Sequence, residues 1–448
     1  MDIFSGGDFV FKFKGKKLIA LVLTVALLCI PSLSIKTAKA ATAQPTLNLN
    51  LRSAILVEAS SGKILYKLNE DVPYAPASMT KMMTEYIVLE SIKQNKIKWD
   101  EKVSASEYAA FLGKPGGSSV LLAEGDVHTI KELYEAMAIY SANDATVLLA
   151  EKIAGSEANF VKIMNDKAQK FGMKTTHFAT CSGFPLNELG EFAPPSTKGD
   201  NKMSARDAAI LAKELITTYP EVLETTSIPK KMFRENTENP LRMDNWNWML
   251  KSLIVEYEGV DGLKTGHTDE AKYCFTGTAK RNNMRLISVV MGADSELHRF
   301  SETKKLLNYG FSSYTMKTFL PENQTIQGYE NAPVLKGKDK EVAALTKSPV
   351  MYPVKYGEEE GFKLKAQLNE VTAPIKKGQQ VGGVMITPPS GKSDDFLRSI
   401  DEKQAGGILV AQEDVGEAGW LRLAFRGFFG FIGDIFSGIG STVKGWFS

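Results

Sequence analysis

Strand-forming runs stand at both ends of a long helix-rich stretch, and this order most constrains what the chain can fold into. Ser53 to Glu58 is a β-rich run, Ser60-Ser61-Gly62 supplies a turn, and 63–67 returns, which is a hairpin pattern. A second hairpin lies far downstream, where 273–279 and 286–291 are joined across Asn282-Asn283. Between them run amphipathic stretches over 78–93, 130–153, 159–171 and 205–217. One antiparallel sheet packed by helices and joined to a helical lobe satisfies that order, so the core is expected to be α+β. A last helix over 296–309 would pack on the sheet.

The composition changes near Phe319-Leu320-Pro321. From there to Gln412 the chain is strand-like and polar, as at 350–354, 362–368 and 380–386, and a separate small all-β domain is expected. It holds no cluster of His, Cys or convergent carboxylates. The segment 189–200, with Pro194-Pro195 and Gly199, reads as a surface loop. At 448 residues and 43% hydrophobic, the chain can bury a large core and fill two domains.

Both termini look like membrane-directed segments. Lys12, Lys14, Lys16 and Lys17 precede an apolar run from Leu18 to Ile30, and Ala38-Lys39-Ala40 offers small residues for cleavage. That run is shorter than the roughly 20 residues a spanning helix needs, so 1–40 reads as a secretory signal peptide. Six of the 54 Lys/Arg and two of the 52 Asp/Glu fall there, leaving 48 basic against 50 acidic residues. The balance is then −2, and nothing in it points to nucleic acid. At the other end, Leu421, Phe425, Phe428, Ile432, Ile435, Ile439, Val443 and Trp446 recur at steps of three and four, a helical stripe. Arg422, Arg426 and Lys444 outnumber Asp434, and Trp420 and Trp446 bracket the segment. Such a helix would lie in a membrane interface rather than cross it. Cys181 and Cys274 are the cysteines that remain outside the leader, too few for a disulfide scaffold.

Three short motifs carry the chemistry: Ser78-Met79-Thr80-Lys81, Ser141-Ala142-Asn143 and Lys264-Thr265-Gly266. Each is weak alone. Together they supply a nucleophile, a base, a proton relay and a cationic anion-holder, a complete acyl-transfer site. Ser78 follows the turn-like 73–77 and opens a helix, so Lys81 at i+3 falls on its face within hydrogen-bonding reach. Lys81 can act as base only when neutral. Burial lowers a lysine pKa and a nearby cation lowers it further, and Lys264 is the natural candidate for that cation. Ser141 would pass a proton to the leaving group, Asn143 would hold the substrate amide, and Gly266 would let the substrate backbone approach an edge strand.

On these motifs the chain resembles the low-molecular-mass D-alanyl-D-alanine carboxypeptidases among the penicillin-recognising serine enzymes. Longer strings add to the likeness, notably Asp261-Gly262-Leu263-Lys264-Thr265-Gly266-His267-Thr268 and 284–292. The resemblance implies a β-lactamase/transpeptidase-like core over 41–317, a β-sandwich-like domain over 318–415 and an anchoring helix over 416–448. It also implies an active site of Ser78, Lys81, Ser141, Asn143, Lys264, Thr265, Gly266 and His267. Arg299 has the spacing of an arginine that assists there. The implied partners are peptidoglycan stem peptides, β-lactam antibiotics and the outer face of the cytoplasmic membrane, with no cofactor. The chain departs from the family pattern at Lys272, where a glycine usually follows Ala271, at Trp246 and Trp248, and in the length of the loop 189–200.

A β-lactamase and a non-catalytic penicillin-binding sensor share the same motifs and remain open on sequence. There is no Glu-x-x-Leu-Asn segment after the second motif, and Glu188-Leu189 comes nearest. There is no Gly-x-Ser-x-Gly, His-Glu-x-x-His, Cys-x-x-Cys or Gly-x-Gly-x-x-Gly, and His128, His177, His267 and His298 are scattered, so no metal site is expected.

Overall fold

The computed structural model describes residues 46–114, 117–193 and 199–425. The expected leader over 1–40, Pro194-Pro195 and the tail stripe from Phe428 onward lie outside the described residues.

Both predicted hairpins are present and belong to one sheet. β1 (Ser53–Glu58) and β2 (Ile64–Leu68) form the first. The chain then makes a 3-10 turn, Ala77–Thr80, which leads straight into α1 (Lys81–Lys93). The helix therefore starts at Lys81 rather than at Ser78. Next come β3 (Lys102–Ser104), α2 (Glu107–Leu112) and β4 (Val127–Thr129), with β3 and β4 paired. The stretch 130–153 is two helices, α3 (Ile130–Tyr140) and α4 (Asn143–Ala154). The break falls at Ser141, whose backbone is left-handed at φ 65°. A capping box starts α3: the Thr129 hydroxyl accepts from the Glu132 amide, and the Glu132 carboxylate accepts in return from the Thr129 amide. α5 (Glu157–Phe171), α6 (Ala205–Thr218), α7 (Val222–Thr226) and the small hairpin β5 (Lys230–Phe233) and β6 (Leu241–Asp244) complete the helical lobe.

The chain returns to the sheet with β7 (Val260–Thr268), β8 (Lys272–Arg281) and β9 (Met284–Ala293), then α8 (Glu296–Ser313). The sheet order is β2-β1-β9-β8-β7, and every neighbouring pair is antiparallel. β1 is buried on both faces, and its alternation divides two cores. Ile55 and Val57 face the helical lobe with Ile287, Val289 and Met291. Ala54 and Leu56 face α8, where Phe300, Leu306 and Leu307 meet Leu286 and Val290. Gly310 on α8 lets that helix sit close, because a Cβ there would stand 2.5 Å from a Leu286 methyl.

β10 (Tyr314–Leu320) follows α8 directly and pairs with β13 (Val350–Lys355). β11 (Asn331–Leu335), β12 (Glu341–Thr346), β14 (Lys363–Leu368), β15 (Val371–Thr372), β16 (Gln380–Thr387) and β17 (Ile408–Ala411) form a second sheet, ordered β14-β16-β17-β12-β11-β15. Tyr352, Val354, Val381, Val384 and Leu409 fill its core. The all-β domain expected from the polar strands is thus present.

The two domains are joined by more than a linker. Before the short α9 (Ser399–Lys403), Lys63 pairs with Phe396 as an isolated bridge, Ile64 donates to the Asp395 carbonyl and Leu397 donates to the Gly62 carbonyl. Lys63 lies 2.8 Å from the Asp394 carboxylate, and Arg398 reaches both Asp401 and Glu214. The last described segment leaves this domain after Ala418, whose amide donates to Lys336 and which is buried. Trp420, Leu421 and Phe425 beyond it are 76%, 54% and 61% exposed on a helical turn. Among the described residues no helix is long and apolar enough to cross a membrane.

Candidate active site

The turn Ala77–Thr80 places Ser78 at the mouth of α1, and Lys81 opens the helix itself. Lys81 is completely buried. Its Nζ lies 2.9 Å from Ser78 Oγ, 2.7 Å from Asn143 Oδ1 and 2.9 Å from the Ser182 carbonyl oxygen. The Ser182 carbonyl can only accept, and Asn143 Oδ1 is oriented to accept as well. These distances suit an ammonium that donates to all three, and equally a neutral amine that donates to Asn143 and Ser182 and accepts from the Ser78 hydroxyl. Burial, and then the Lys264 ammonium, push the Lys81 pKa well below its ordinary value.

The second motif is set by the break between α3 and α4. Ser141 is buried in the left-handed conformation, and its Oγ has no hydrogen-bond partner among the described residues. Asn143 donates its amide to the Ser118 carbonyl. The next residue, Asp144, accepts from the amides of Val120 and Leu122, so one carboxylate ties the 118–122 loop to the start of α4.

The third motif lies on β7, the edge of the sheet, paired residue by residue with β8: Lys264 opposite Thr276, Thr265 opposite Phe275 and Gly266 opposite Cys274. Lys264 is 2% exposed and Thr265 is buried. The structure gives Gly266 a packing reason that the sequence does not show. A Cβ there would stand 2.5 Å from the Pro76 carbonyl oxygen, so the missing side chain lets β7 seat the turn that carries Ser78. His267 is exposed and stacks on Tyr273 at 4.2 Å between ring centroids.

Arg299, on the first turn of α8, is buried. Its guanidinium lies 3.6 Å from Glu296 and over the rings of Phe300 and Tyr273. Glu302 pairs instead with His298 and Lys305. Burial lowers the Arg299 pKa to about 10, against the pull of Glu296.

Sequence reasoning missed the strap that holds the nucleophile turn from behind. Asn201 is buried; its Oδ1 accepts from the amides of Ala179 and Thr180, and its Nδ2 donates to Thr80 Oγ1 and the Thr180 carbonyl. Gly183 adopts φ +80°, and a Cβ there would overlap the Ala77 carbonyl. The Ser-Gly dipeptide was a usable turn signal; a backbone carbonyl such as that of Ser182 carries none. Lys272 takes φ 57°, the left-handed region that favours glycine, which accounts physically for the residue usual there. Trp246 donates its indole N–H to the Tyr140 carbonyl beside Ser141, whereas Trp248 packs on Phe300 in the core. Cys181 and Cys274 are both buried and free. Among the described residues no group of His, Cys, Asp and Glu could hold a metal.

The relatives agree with this arrangement over most of the chain. A family model described as D-alanyl-D-alanine carboxypeptidase matches residues 38–295, and one described as Penicillin-binding protein 5, C-terminal domain, matches residues 314–393. D-alanyl-D-alanine carboxypeptidase DacF of Bacillus subtilis (strain 168) is 38% identical over 377 residues, which is 84% of this chain and 88% of that protein. The crystal structure of a peptidoglycan synthesis regulatory factor (PBP3) from Streptococcus pneumoniae superposes with a TM-score of 0.70 at 31% identity, covering 82% of this chain and 99% of that one. Penicillin-Binding Protein D2 from Listeria monocytogenes, in its ampicillin-bound form, is 36% identical with a TM-score of 0.51, covering 60% of this chain and 100% of that one. With a β-lactamase/transpeptidase-like core, an all-β domain behind it and three motifs converging on Ser78, the chain belongs to the D-alanyl-D-alanine carboxypeptidase family.

Proposed function

We propose that this protein removes the terminal D-alanine from peptidoglycan stem pentapeptides through an acyl-enzyme on Ser78, and that penicillins acylate the same serine. The observation that carries the reading is the fully buried Lys81, whose Nζ stands 2.9 Å from Ser78 Oγ and is held there by Asn143 and Ser182. Ser78 Oγ attacks the carbonyl carbon of the penultimate D-alanine as its proton passes to Lys81. The tetrahedral intermediate then collapses with cleavage of the C–N bond. Ser141, buried and unpartnered two residues before the Asn143 that Lys81 contacts, relays that proton from Lys81 to the departing amine, which leaves Lys81 neutral again. Water next attacks the Ser78 ester, Lys81 takes the water's proton, and the serine returns to its hydroxyl form with release of the shortened peptide.

The terminal carboxylate distinguishes a carboxypeptidase substrate. Lys264 and Arg299 supply positive charge for it, and Thr265 supplies a hydroxyl. Asn143, its side-chain oxygen held by Lys81 and its backbone N–H by Ser118, presents its Nδ2 hydrogens to the substrate backbone, and Gly266 and His267 line the edge strand. Labelling with a fluorescent penicillin followed by peptide mapping tests the assignment. Label on Ser78, and none on Ser78→Ala, is expected; label elsewhere ends the reading.

The proposed organisation is an exported leader over 1–40, a catalytic domain over 41–317, a β domain over 318–415 and a membrane-surface segment over 416–448, whose first three residues still pack on the β domain. The exposed Trp420, Leu421 and Phe425 support the last of these. A chain ending at Gly419 keeps the packed Ala418 and should be released from the outer face of the cytoplasmic membrane while retaining activity. A membrane-bound truncated chain would contradict the anchor.

A further inference from the structure

One buried acid next to the site has no part in the reaction as described. Glu85 lies one helical turn beyond Lys81 on α1, at i+4, so the two side chains share a face of the helix. It is completely buried, and neither carboxyl oxygen has a hydrogen-bond partner among the described residues. A carboxyl group in such a place is costly unless opposite charge compensates it. The charges that act on it are the two active-site lysines, Lys264 from β7 and Lys81 from its own helix. From α3 it is faced by Tyr134, whose hydroxyl is also buried and unpartnered. The lysines in turn feel Asp144 at the start of α4, the Cys181 thiol and Arg299 on α8. α5 and the segment after α6 meet α1 further along, through Lys167 at Glu90 and Tyr219 at Tyr86.

The site thus asks two buried lysines to behave differently, Lys81 as a neutral base and Lys264 as a cation. Burial alone discourages a charge on either. We propose that Glu85 is a positioning residue whose buried carboxylate balances Lys264, so that Lys264 keeps its positive charge out of water. Within the trio Glu85, Lys81 and Lys264, one anion and one cation then remain, and their charges cancel. The direction of each effect agrees: burial lowers the Lys264 pKa and Glu85 raises it again, while burial raises Glu85 and both lysines lower it. This inference rests on the roles of Lys81 and Lys264 given above.

Removal of the carboxylate has a signature that loss of packing does not. Without that anion both lysines deprotonate more readily, so both limbs of the pH profile for acylation move to lower pH. The acidic limb reports Lys81 becoming neutral, and the alkaline limb reports Lys264 losing its proton. The test is the pH dependence of fluorescent-penicillin acylation of the full chain, comparing wild type with Glu85→Gln, Glu85→Met and Tyr134→Phe. Both Glu85 variants are expected to move the alkaline limb down by about one pH unit, an approximately tenfold loss of rate above the wild-type midpoint. Tyr134→Phe, which alters the same interior without changing charge, should leave both limbs in place. If the Glu85 variants label Ser78 with unmoved limbs, or if Tyr134→Phe moves them equally, the role of Glu85 is overturned. Persistent labelling of Ser78→Ala would instead overturn the acyl-enzyme assignment, whatever Glu85 does.

Discussion

Two of the buried lysines, Lys81 at the candidate active site and Lys63 at the domain junction, have surroundings that give them opposite uses. Lys63 lies 2.8 Å from the Asp394 carboxylate, donates to the Pro353 carbonyl and sits over the Tyr352 ring. Tyr352 completes that cluster by donating its hydroxyl to the same carboxylate. Lys81 has a hydroxyl, an amide oxygen and a backbone carbonyl within reach, and no carboxylate. Burial pushes both pKa values down. At Lys63 the next influence is Asp394, which restores the charge, whereas at Lys81 it is Lys264, which removes it further. Desolvation alone therefore makes neither a base nor a strut; the sign of the nearest charge decides between them.

The largest expected effect separates the two directly. Lys81→Met should slow acylation of Ser78 by about 10²–10⁴-fold, the span attached to a lost general base. Lys63→Met should leave the acylation rate unchanged, and stopped-flow or gel-based labelling of both variants with one penicillin checks the contrast. Next in size, Lys264→Ala should reduce acylation by about 10²-fold through loss of the preorganised cation. It should also move the acidic limb to higher pH, because removal of the neighbouring ammonium raises the Lys81 pKa. An acidic limb that stays in place would mean that burial alone keeps Lys81 neutral.

Lys63→Met carries its cost in stability. Asp394 loses its buried partner but keeps the Tyr352 hydroxyl and some solvent, so a loss of about 3 kcal/mol is expected, the low end for breaking such a pair. A drop in the urea midpoint reads it, and an unshifted midpoint would show the junction to be energetically idle. Arg299 tests the comparison from a third position, as a buried cation whose carboxylate neighbour is held only loosely at 3.6 Å. Arg299→Ala should raise KM for a D-alanyl-D-alanine-ended peptide by roughly tenfold to a hundredfold, corresponding to about 1.5–3 kcal/mol, with a smaller change in kcat. The C-terminal amide of that peptide should be indifferent to the substitution. Equal loss on acid and amide would make Arg299 a packing residue of α8.

Local order was largely legible from the chain. The turn and strand residues of both hairpins and the step of three between Ser78 and Lys81 are short-range properties, and each appears within a few residues of its expected place. The break inside 130–153 was readable only through its motif, since nothing in the apolar periodicity marks Ser141 as left-handed. Gly266 has a packing reason without a local signature: its neighbour is the Pro76 carbonyl, which belongs to a turn far away in sequence.

The sequence by itself determined which groups the site would hold and the α+β class that carries them, because periodicity, turn chemistry and motif order are written locally. Only the tertiary structure decided their protonation and their partners. Lys81 lies 62 positions from Asn143 and 101 from Ser182, and Lys63 lies 290 from Pro353. Whether a lysine is a base or one half of an ion pair depends on how completely water is excluded and on which charge arrives from another segment. Both are properties of the packed interior, and neither has a local signature in the chain.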